Sequence, residues 1–268
     1  MRALAAGLLA AIAVPAAAVE RPLWELGAGL AGLRLPHYRG ADQSHGLLLP
    51  VPYVVYRGRI FKADRDGARA VLYESDRVDF DLSLGASAPT RSEDNRAREG
   101  MEDLAPSFEF GPNLNLTLAR GPAWKFDLRL PVRAAFTFES RPRSIGWLST
   151  PNLNLDLAGV GGWNIGLKAN LVLATRRQHA YFYDVPTADA TGQRPAYRAA
   201  GGYGGSQLTV AASRRIGDTW IGGFVRLDQL QGARFVDSPL VRQRHNVSFG
   251  FAVSWVLFSS SRSVTVTD

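Results

Sequence analysis

Apolar and polar residues alternate along two long adjacent stretches near the middle of the chain. In residues 108–118 every second position is apolar or Pro, and the positions between them are polar or small. The alternation resumes after a turn at 120–122 and runs through residues 124–138. Because successive side chains of a β-strand point to opposite faces, the pattern predicts a hairpin of two long strands with one apolar face.

The length of these strands indicates where the apolar face points. Each stretch is long enough to cross a bilayer at a tilt, which takes about 9–11 residues, whereas strands of soluble proteins have about 5–6. Aromatic residues lie near the ends of the apolar rows, where transmembrane barrels place their girdles: Phe108, Phe110, Trp124, Phe126, Phe136 and Phe138. We therefore predict that the apolar row faces lipid. The alternative is a soluble barrel with that row inside.

Similar alternation elsewhere predicts the remaining strands. They cover residues 24–33, 47–56, 59–63, 68–74, 78–87, 152–157, 163–173, 202–213, 220–230 and 244–258. Short connections alternate with long loops near 37–45, 89–100, 140–146, 176–200 and 231–241, and the hairpin around 64–67 has an unusually short outer loop. This predicts an all-β, antiparallel up-and-down transmembrane β-barrel of about 12 strands, with short periplasmic turns and longer extracellular loops.

The N-terminus has the features of a targeting segment. Arg2 precedes an apolar run at 3–14, and small residues follow Pro15, which predicts a signal peptide at 1–18 that is cleaved after Ala18. The barrel is then expected at 19–258, with a C-terminal tail at 259–268. The mean hydropathy is −0.08. Beyond the N-terminus the sequence has no run of about 20 apolar residues, which argues against a helical membrane protein.

Charge and cysteine content narrow the classes of partner. The formal net charge is +7, but the basic residues are spread over strands and loops without a nucleic-acid recognition motif. On an outer-membrane barrel such arginines can contact lipopolysaccharide phosphates or line an anion-attracting lumen, although most are explained as solvated loop charges. The chain has no cysteine, so it cannot form disulfides or carry a lipoprotein anchor.

No residues make a convincing catalytic, cofactor or metal site. His245 and Ser248 are separated by three positions, which places them on opposite faces of a strand and argues against a serine esterase. His37, His45 and Asp42 could share a metal, although loop histidines are usually solvated. We therefore predict a protein that is not an enzyme and needs no cofactor.

Charged positions on the polar rows are candidates for lining the lumen. They are Asp79, Asp81, Lys125, Asp127, Arg129, Arg133 and Lys168. These side chains can form a salt-bridge network that satisfies buried charge, or a constriction that filters solutes. Tyr181, Phe182 and Tyr183 lie in the longest loop, where they form either a surface patch or a plug folded into the mouth.

Three pairs of motifs resemble the MltA-interacting protein (MipA/OmpV) family of outer-membrane barrels. They are WELGAGLAG at 24–32 with YRGAD at 38–42, YFYDVP at 181–186 with RPAY at 194–197, and DSPL at 237–240 with SWVLF at 254–258. The resemblance implies an outer-membrane barrel; some members contact a murein transglycosylase and a penicillin-binding protein, and others are porin-like. Residues 259–268 depart from the usual terminal aromatic and are expected to weaken the assembly signal or to hang free in the periplasm.

Three functional hypotheses follow. The first is an envelope scaffold linked to murein synthesis and turnover, although the short periplasmic turns offer little of the roughly 800 Å² that an ordinary interface needs from each partner. The second is a narrow porin for small polar or anionic solutes. The third is a membrane esterase.

Overall fold

The computed structural model of the chain describes residues 19–64 and 67–266. The predicted signal peptide at 1–18 lies outside the described residues. None of the helices in these two ranges is both long and apolar enough to cross a membrane.

Twelve antiparallel strands close into a barrel, which confirms the predicted fold. Strands β2 and β14 pair to close the cylinder, and β9 and β10 count as one barrel strand because both pair with β8 and with β11. The elements are β1 (Val19–Pro22), β2 (Trp24–Pro36), β3 (Ser44–Arg57), β4 (Phe61–Asp64), β5 (Gly67–Glu74), β6 (Val78–Ser87), β7 (Ser107–Gly121), β8 (Trp124–Thr137), β9 (Ser144–Ser149), β10 (Asn152–Val160), β11 (Trp163–Ala174), α1 (Arg176–Tyr183), β12 (Gly202–Ile216), β13 (Thr219–Gln229), β14 (His245–Ser259) and β15 (Ser263–Val266).

The two faces of the wall differ as the alternation predicts. Large apolar residues such as Leu30, Leu171 and Phe251 are exposed on the outside. Polar residues on the alternate positions, such as Asp127 and Ser248, are buried inside. An apolar outer surface around a polar interior is the arrangement of a transmembrane barrel, so the soluble alternative is wrong.

The central hairpin carries an aromatic girdle at its extracellular end. Phe108 of β7 lies directly opposite Phe136 of β8, with their ring centroids 5.6 Å apart. Phe110 stacks on the same Phe136 ring at 5.7 Å, and Phe138 meets Phe108 edge-on at 6.2 Å. These rings lie where the apolar band of such barrels meets the interface.

Two segments differ from the predicted loops. Strand β9 begins at Ser144, inside the predicted loop at 140–146, and Pro151 separates it from β10 because proline cannot donate to the ladder. Residues 176–183 of the longest predicted loop form α1, in which His179 and Tyr183 lie one turn apart and are both buried.

The C-terminal tail also differs from the expected free segment. Strand β15 pairs with β1 in a two-stranded antiparallel ribbon, with Val19 opposite Val266 and Pro22 opposite Ser263. The Leu23 N–H donates to the Arg262 carbonyl at 2.8 Å, which extends the pairing toward the barrel. The ribbon therefore joins both ends of the described chain on the periplasmic side.

The main apolar cluster lies in the extracellular loops rather than in the barrel. We call loops 37–43, 88–106, 175–201 and 230–244 together the extracellular cap. Its buried apolar residues come from all four loops: Tyr38, Ala41, Leu104, Tyr183, Val185, Ala199, Leu230, Ala233, Phe235 and Leu240. Because the side chains of four separate loops share one apolar cluster, the cap packs as a unit over the extracellular end of the barrel.

Candidate functional site

A network of charges lies on the inner wall of the lower lumen around Asp127 of β8. This carboxylate is 1% exposed, and it lies 3.3 Å from Lys125 Nζ and 3.5 Å from Arg129 Nη2. Arg129 Nη2 also lies 3.5 Å from Asp156 Oδ2 on the neighbouring strand β10. The Thr117 hydroxyl donates to Asp127 at 3.1 Å. Three of the lumen-lining candidates therefore lie in one network, whose opposite charges neutralise one another.

The other lumen candidates have separate partners. Asp81 accepts hydrogen bonds from the side-chain amides of Asn113 (3.3 Å) and Asn115 (2.7 Å). Arg133 Nε donates to Ser83 Oγ at 2.9 Å, and its Nη1 lies 3.9 Å from Glu109 Oε2. Most buried polar groups in this part of the wall thus have a local partner, but Asn113 Oδ1 is buried without one among the described residues.

Strand pairing gives the positions of Asp79 and Lys168 in the wall. Asp79 of β6 is opposite Glu74 of β5 and Asn115 of β7. Lys168 of β11 is opposite Asn154 of β10 and Thr209 of β12. Both positions belong to the polar rows of the wall, and they do not adjoin each other in the strand order.

A second charged cluster, centred on Glu25 of β2, is absent from the sequence-based candidates. Glu25 is 1% exposed, and its carboxylate lies 2.7 Å from Arg215 Nη1 and 3.4 Å from Arg57 Nη2. The Tyr53 hydroxyl adds a donor at 3.3 Å. The sequence could have identified Glu25 as a lumen residue, because it lies on the polar row of the first predicted strand.

A third cluster, at Asp228 of β13, joins the barrel to the cap. Arg39, in the loop at 37–43, places its Nε 2.7 Å from Asp228 Oδ1. Gln207 Nε2 donates to the same oxygen at 2.7 Å, and Arg226 Nε lies 3.4 Å from Oδ2. Arg39 Nη1 also donates to the Gly204 carbonyl at 2.8 Å. A loop residue therefore reaches a carboxylate on the inner wall and fixes the cap there.

The aromatic residues of α1 lie within the cap. Tyr183 is buried, and its ring stacks on Phe235 with centroids 3.6 Å apart and planes at 9°. Its hydroxyl donates to the Arg39 carbonyl at 2.9 Å. Tyr181 and Phe182 are partly buried against the same cluster. Burial raises the pKa of Tyr183, which keeps its hydroxyl protonated as a donor.

Arg98 is a buried cation that the cap holds mainly by neutral groups. Its Nη1 donates to the Phe182 carbonyl at 3.2 Å and its Nη2 to the Glu102 carbonyl at 2.9 Å. Its guanidinium carbon lies 5.9 Å from the centre of the Tyr38 ring, within cation–π range. Burial lowers the pKa of Arg98, opposed chiefly by Tyr38. These contacts tie loop 88–106 to α1 and to loop 37–43.

His179 contributes a buried neutral imidazole to the cap. Its Nδ1 lies 2.8 Å from the Ala200 carbonyl, so Nδ1 carries the proton. Its Nε2 is buried without a hydrogen-bond partner among the described residues. Burial lowers the pKa of His179, more than the Ala200 carbonyl raises it. The ring therefore acts as a packing group against Phe235, at a centroid distance of 4.7 Å.

The arrangement offers no reactive pair or metal site in the described ranges. Ser248 is buried and faces Arg226, whose Nη2 donates to its hydroxyl at 3.3 Å, whereas His245 lies on the exposed alternate row. The His37 and His45 rings are 5.1 Å apart, but Asp42 pairs with Arg96 at 3.3 Å. Residues 19–64 and 67–266 contain no group of three or more His, Cys, Asp or Glu residues placed to hold a metal ion.

Several solved structures are similar in fold at low sequence identity. The NanC porin is 9% identical with a TM-score of 0.44, and the match covers 86% of this chain and 100% of that one. Outer membrane phospholipase A from Escherichia coli is 11% identical with a TM-score of 0.34, over 87% and 93% of the two chains. The outer membrane protein OprD from Pseudomonas aeruginosa is 6% identical with a TM-score of 0.27, over 91% and 94%.

Sequence comparison with curated proteins and with family models gives two further results. No curated protein matches the chain. A family model does match, over residues 28–257, which include every barrel strand from β3 to β13 and most of β2 and β14. The chain therefore belongs to the family described as MltA-interacting protein MipA.

Proposed function

We propose that this protein is a non-enzymatic outer-membrane scaffold that contacts murein enzymes at its periplasmic face. The observation that carries the proposal is the packing of both the cap and the lumen. The extracellular cap has its own apolar cluster. The lumen below it contains buried carboxylates paired with cations, including Glu25, Asp127 and Asp228. A barrel packed in this way is better suited to holding a rigid shape than to passing solute.

The partner is suggested by the family description. That description names an interaction with MltA, a murein transglycosylase, and we extend the proposal to this chain and to a penicillin-binding protein. The periplasmic turns alone are small. The β1·β15 ribbon lies on the same side and adds two further strands of surface. It thereby offers part of the area that the turns lack.

Two measurements on purified full-length mature protein test the proposal. In planar bilayers we expect no conductance, and in pull-downs from periplasmic extract we expect recovery of a lytic transglycosylase. A variant that lacks residues 260–268 should keep the closed barrel but bind less transglycosylase. A variant that lacks the cap segment 177–199 should keep periplasmic binding.

The competing function is a narrow channel for small polar or anionic solutes. Stable ion conductance by the intact protein, together with no transglycosylase in the pull-down, would overturn the scaffold proposal. If conductance appeared only in the cap variant, the intact protein would still be closed, but the cap alone would be the barrier and the lumen would not be packed.

A further inference from the structure

The barrel wall has a gap between β3 and β6. Strand β4 has 4 residues, which span about 13 Å, whereas the apolar band of such barrels is about 25 Å tall. Strand β3 pairs with β4 only through Tyr56 and Arg57, so residues 44–55 have no ladder partner on this side among the described residues. Pairing between β5 and β6 ends at Ser83. Above the short hairpin no described residue continues these two strands of the wall. At the level of the hairpin β3 and β6 are about 14 Å apart, because β4 and β5 lie between them.

The gap is closed above by the cap. The Thr90 hydroxyl in loop 88–106 donates to the His37 carbonyl in loop 37–43 at 2.6 Å. The Arg96 N–H donates to Gln43 Oε1 at 2.8 Å. These bonds join the loops that follow β6 and precede β3, so the opening is a window in the side of the wall rather than a cleft open to the cell surface.

Exposure shows that β3 is accessible from both faces at this height. Leu48 points outward and is 74% exposed, whereas Leu49 points inward and is still 40% exposed. Pro50, the next outward residue, is exposed as well. Other runs of three exposed residues in the strands lie at strand ends, whereas this run lies in the middle of β3. The three consecutive exposed residues therefore mark the open edge.

An apolar track leads from this edge into the lumen. One row of paired residues crosses four neighbouring strands. Leu47 of β3 is opposite Leu33 of β2, Leu33 is opposite Gly250 of β14, and Gly250 is opposite Phe224 of β13. A Cβ placed on Gly250 would lie 2.5 Å from Leu33 Cδ2 and 2.8 Å from Phe224 Cε1, so these side chains flank the glycine on the inner face. The next inward row is also apolar, with Leu49, Ala31 and Ala252. Elsewhere the inner rows are largely polar.

We propose that the window between β3 and β6 is a lateral portal through which an acyl chain of an outer-leaflet amphiphile enters and lies along this track. The lipid-facing surface at Leu48 and Pro50 continues around the open edge to Leu49 and Leu47, so lipid adjoins the track directly. Burying apolar side chains against an acyl chain removes them from water, which stabilises the bound chain. The inference goes beyond the scaffold function and does not depend on it.

The sequence of β3 argues against another strand as the occupant. Pro50 and Pro52 have the same parity, so both missing N–H donors lie on one edge of the strand. The β2–β3 register continues through both prolines without a shift, which places the missing donors on the open edge. Proline on an open edge prevents strand addition. The edge is therefore kept free of protein.

Spin labelling in liposomes tests the portal. The chain has no native cysteine, so each introduced cysteine carries the only label. A nitroxide on Leu49→Cys should be accessible to oxygen dissolved in the bilayer, like one on Leu153→Cys on the outer face. A label on Asn154→Cys, on the inner face of a fully paired strand, is the matched control and should be shielded. If the Leu49 label were reached only by a water-soluble nickel chelate, or were shielded like the Asn154 label, the portal would be excluded.

Photolabelling with a C16 fatty acid that carries a terminal diazirine tests the track. We expect crosslinks to Leu49 and to Phe224 inside the barrel, besides those on the outer face. Leu49→Gln, and independently Ala31→Trp, should lower the inner crosslinks about tenfold and leave outer labelling at Leu153 unchanged. Heat-modifiable gel mobility verifies folding of each variant. Crosslinks confined to the outer face, or crosslinks from the edge to a second protein chain, would overturn the proposal.

Discussion

The Arg39 guanidinium lies 2.7 Å from the Asp228 carboxylate, which joins the first extracellular loop to the inner wall of β13. The same residue accepts a hydrogen bond from the Tyr183 hydroxyl at its backbone carbonyl. One loop residue therefore links α1, the loop at 37–43 and the barrel. Because the Asp228 side chain is fully buried, its charge depends on these neighbours for compensation.

The first prediction concerns this link. Arg39→Gln removes the close cation and leaves Asp228 with Arg226 and Gln207, so we expect a loss of about 1–3 kcal/mol in the free energy of unfolding. Urea titration in liposomes measures it. Arg96→Gln removes a surface pair with Asp42 and should cost less than about 1 kcal/mol. Equal losses in the two variants would show that the Asp228 cluster has no special role.

The second prediction separates packing from hydrogen bonding at Tyr183. Tyr183→Phe keeps the stacking on Phe235 and loses only the hydroxyl bond, so we expect a cost of about 1 kcal/mol. Tyr183→Ala also removes the ring from the cap cluster and should cost about 3–5 kcal/mol. Protease cleavage of the loops on intact cells should rise strongly for the alanine variant and little for the phenylalanine variant. If alanine left cleavage unchanged, the cap would not depend on this cluster.

The strands of the barrel were largely predictable from sequence because a period-two pattern is local. The central hairpin followed the alternation to within a few residues at each end. The segment at 144–149 was missed because Gly146 and Pro151 interrupt the pattern, and the proline does break the strand there.

The cap was not predictable in the same way. Its cluster combines Tyr38, Tyr183, Phe235 and Leu240 from three loops that have no periodicity and are far apart in the chain. The aromatic triplet at 181–183 is unusual for a loop, but nothing local in the sequence identifies Phe235 as the stacking partner of Tyr183. Asp228 lies on the polar row of a predicted strand, so its inward position can be read from the sequence. Its partner Arg39 lies in a loop without periodicity, so the sequence does not show that the two residues meet.

The third prediction concerns pH and the contact between loops 37–43 and 88–106. His37 Nδ1 lies 3.2 Å from Asn95 Nδ2. Burial, and next the nearby His45, lower the pKa of His37 below its ordinary value of 6.5, against the opposing effect of Asp94 and Asp42. The folded form therefore binds fewer protons than the unfolded form in this range. The stability of the contact is present above pH 6.5 and is lost as the pH falls below it.

Hydrogen exchange of residues 88–106 measures this effect. We expect faster exchange at about pH 5.5 than at about pH 7.5, after correction for the intrinsic rate. His45→Gln removes one source of repulsion and should shift the midpoint to higher pH, toward the ordinary value. His37→Gln should remove most of the dependence. A dependence that survived in His37→Gln would assign the effect to another group, such as His179, whose pKa is also lowered by burial.

The fourth prediction concerns the open edge of β3. The double variant Pro50→Val and Pro52→Thr adds two N–H donors to this edge and introduces β-branched side chains, which suit a strand. We expect the purified protein to form dimers or larger assemblies through edge pairing, detected by chemical crosslinking in liposomes. The control variant Pro89→Val replaces a proline in the loop after β6, away from the edge, and should leave the oligomeric state unchanged. If the double variant showed the oligomeric state of the parent, the prolines would not be what keeps the β3 edge free.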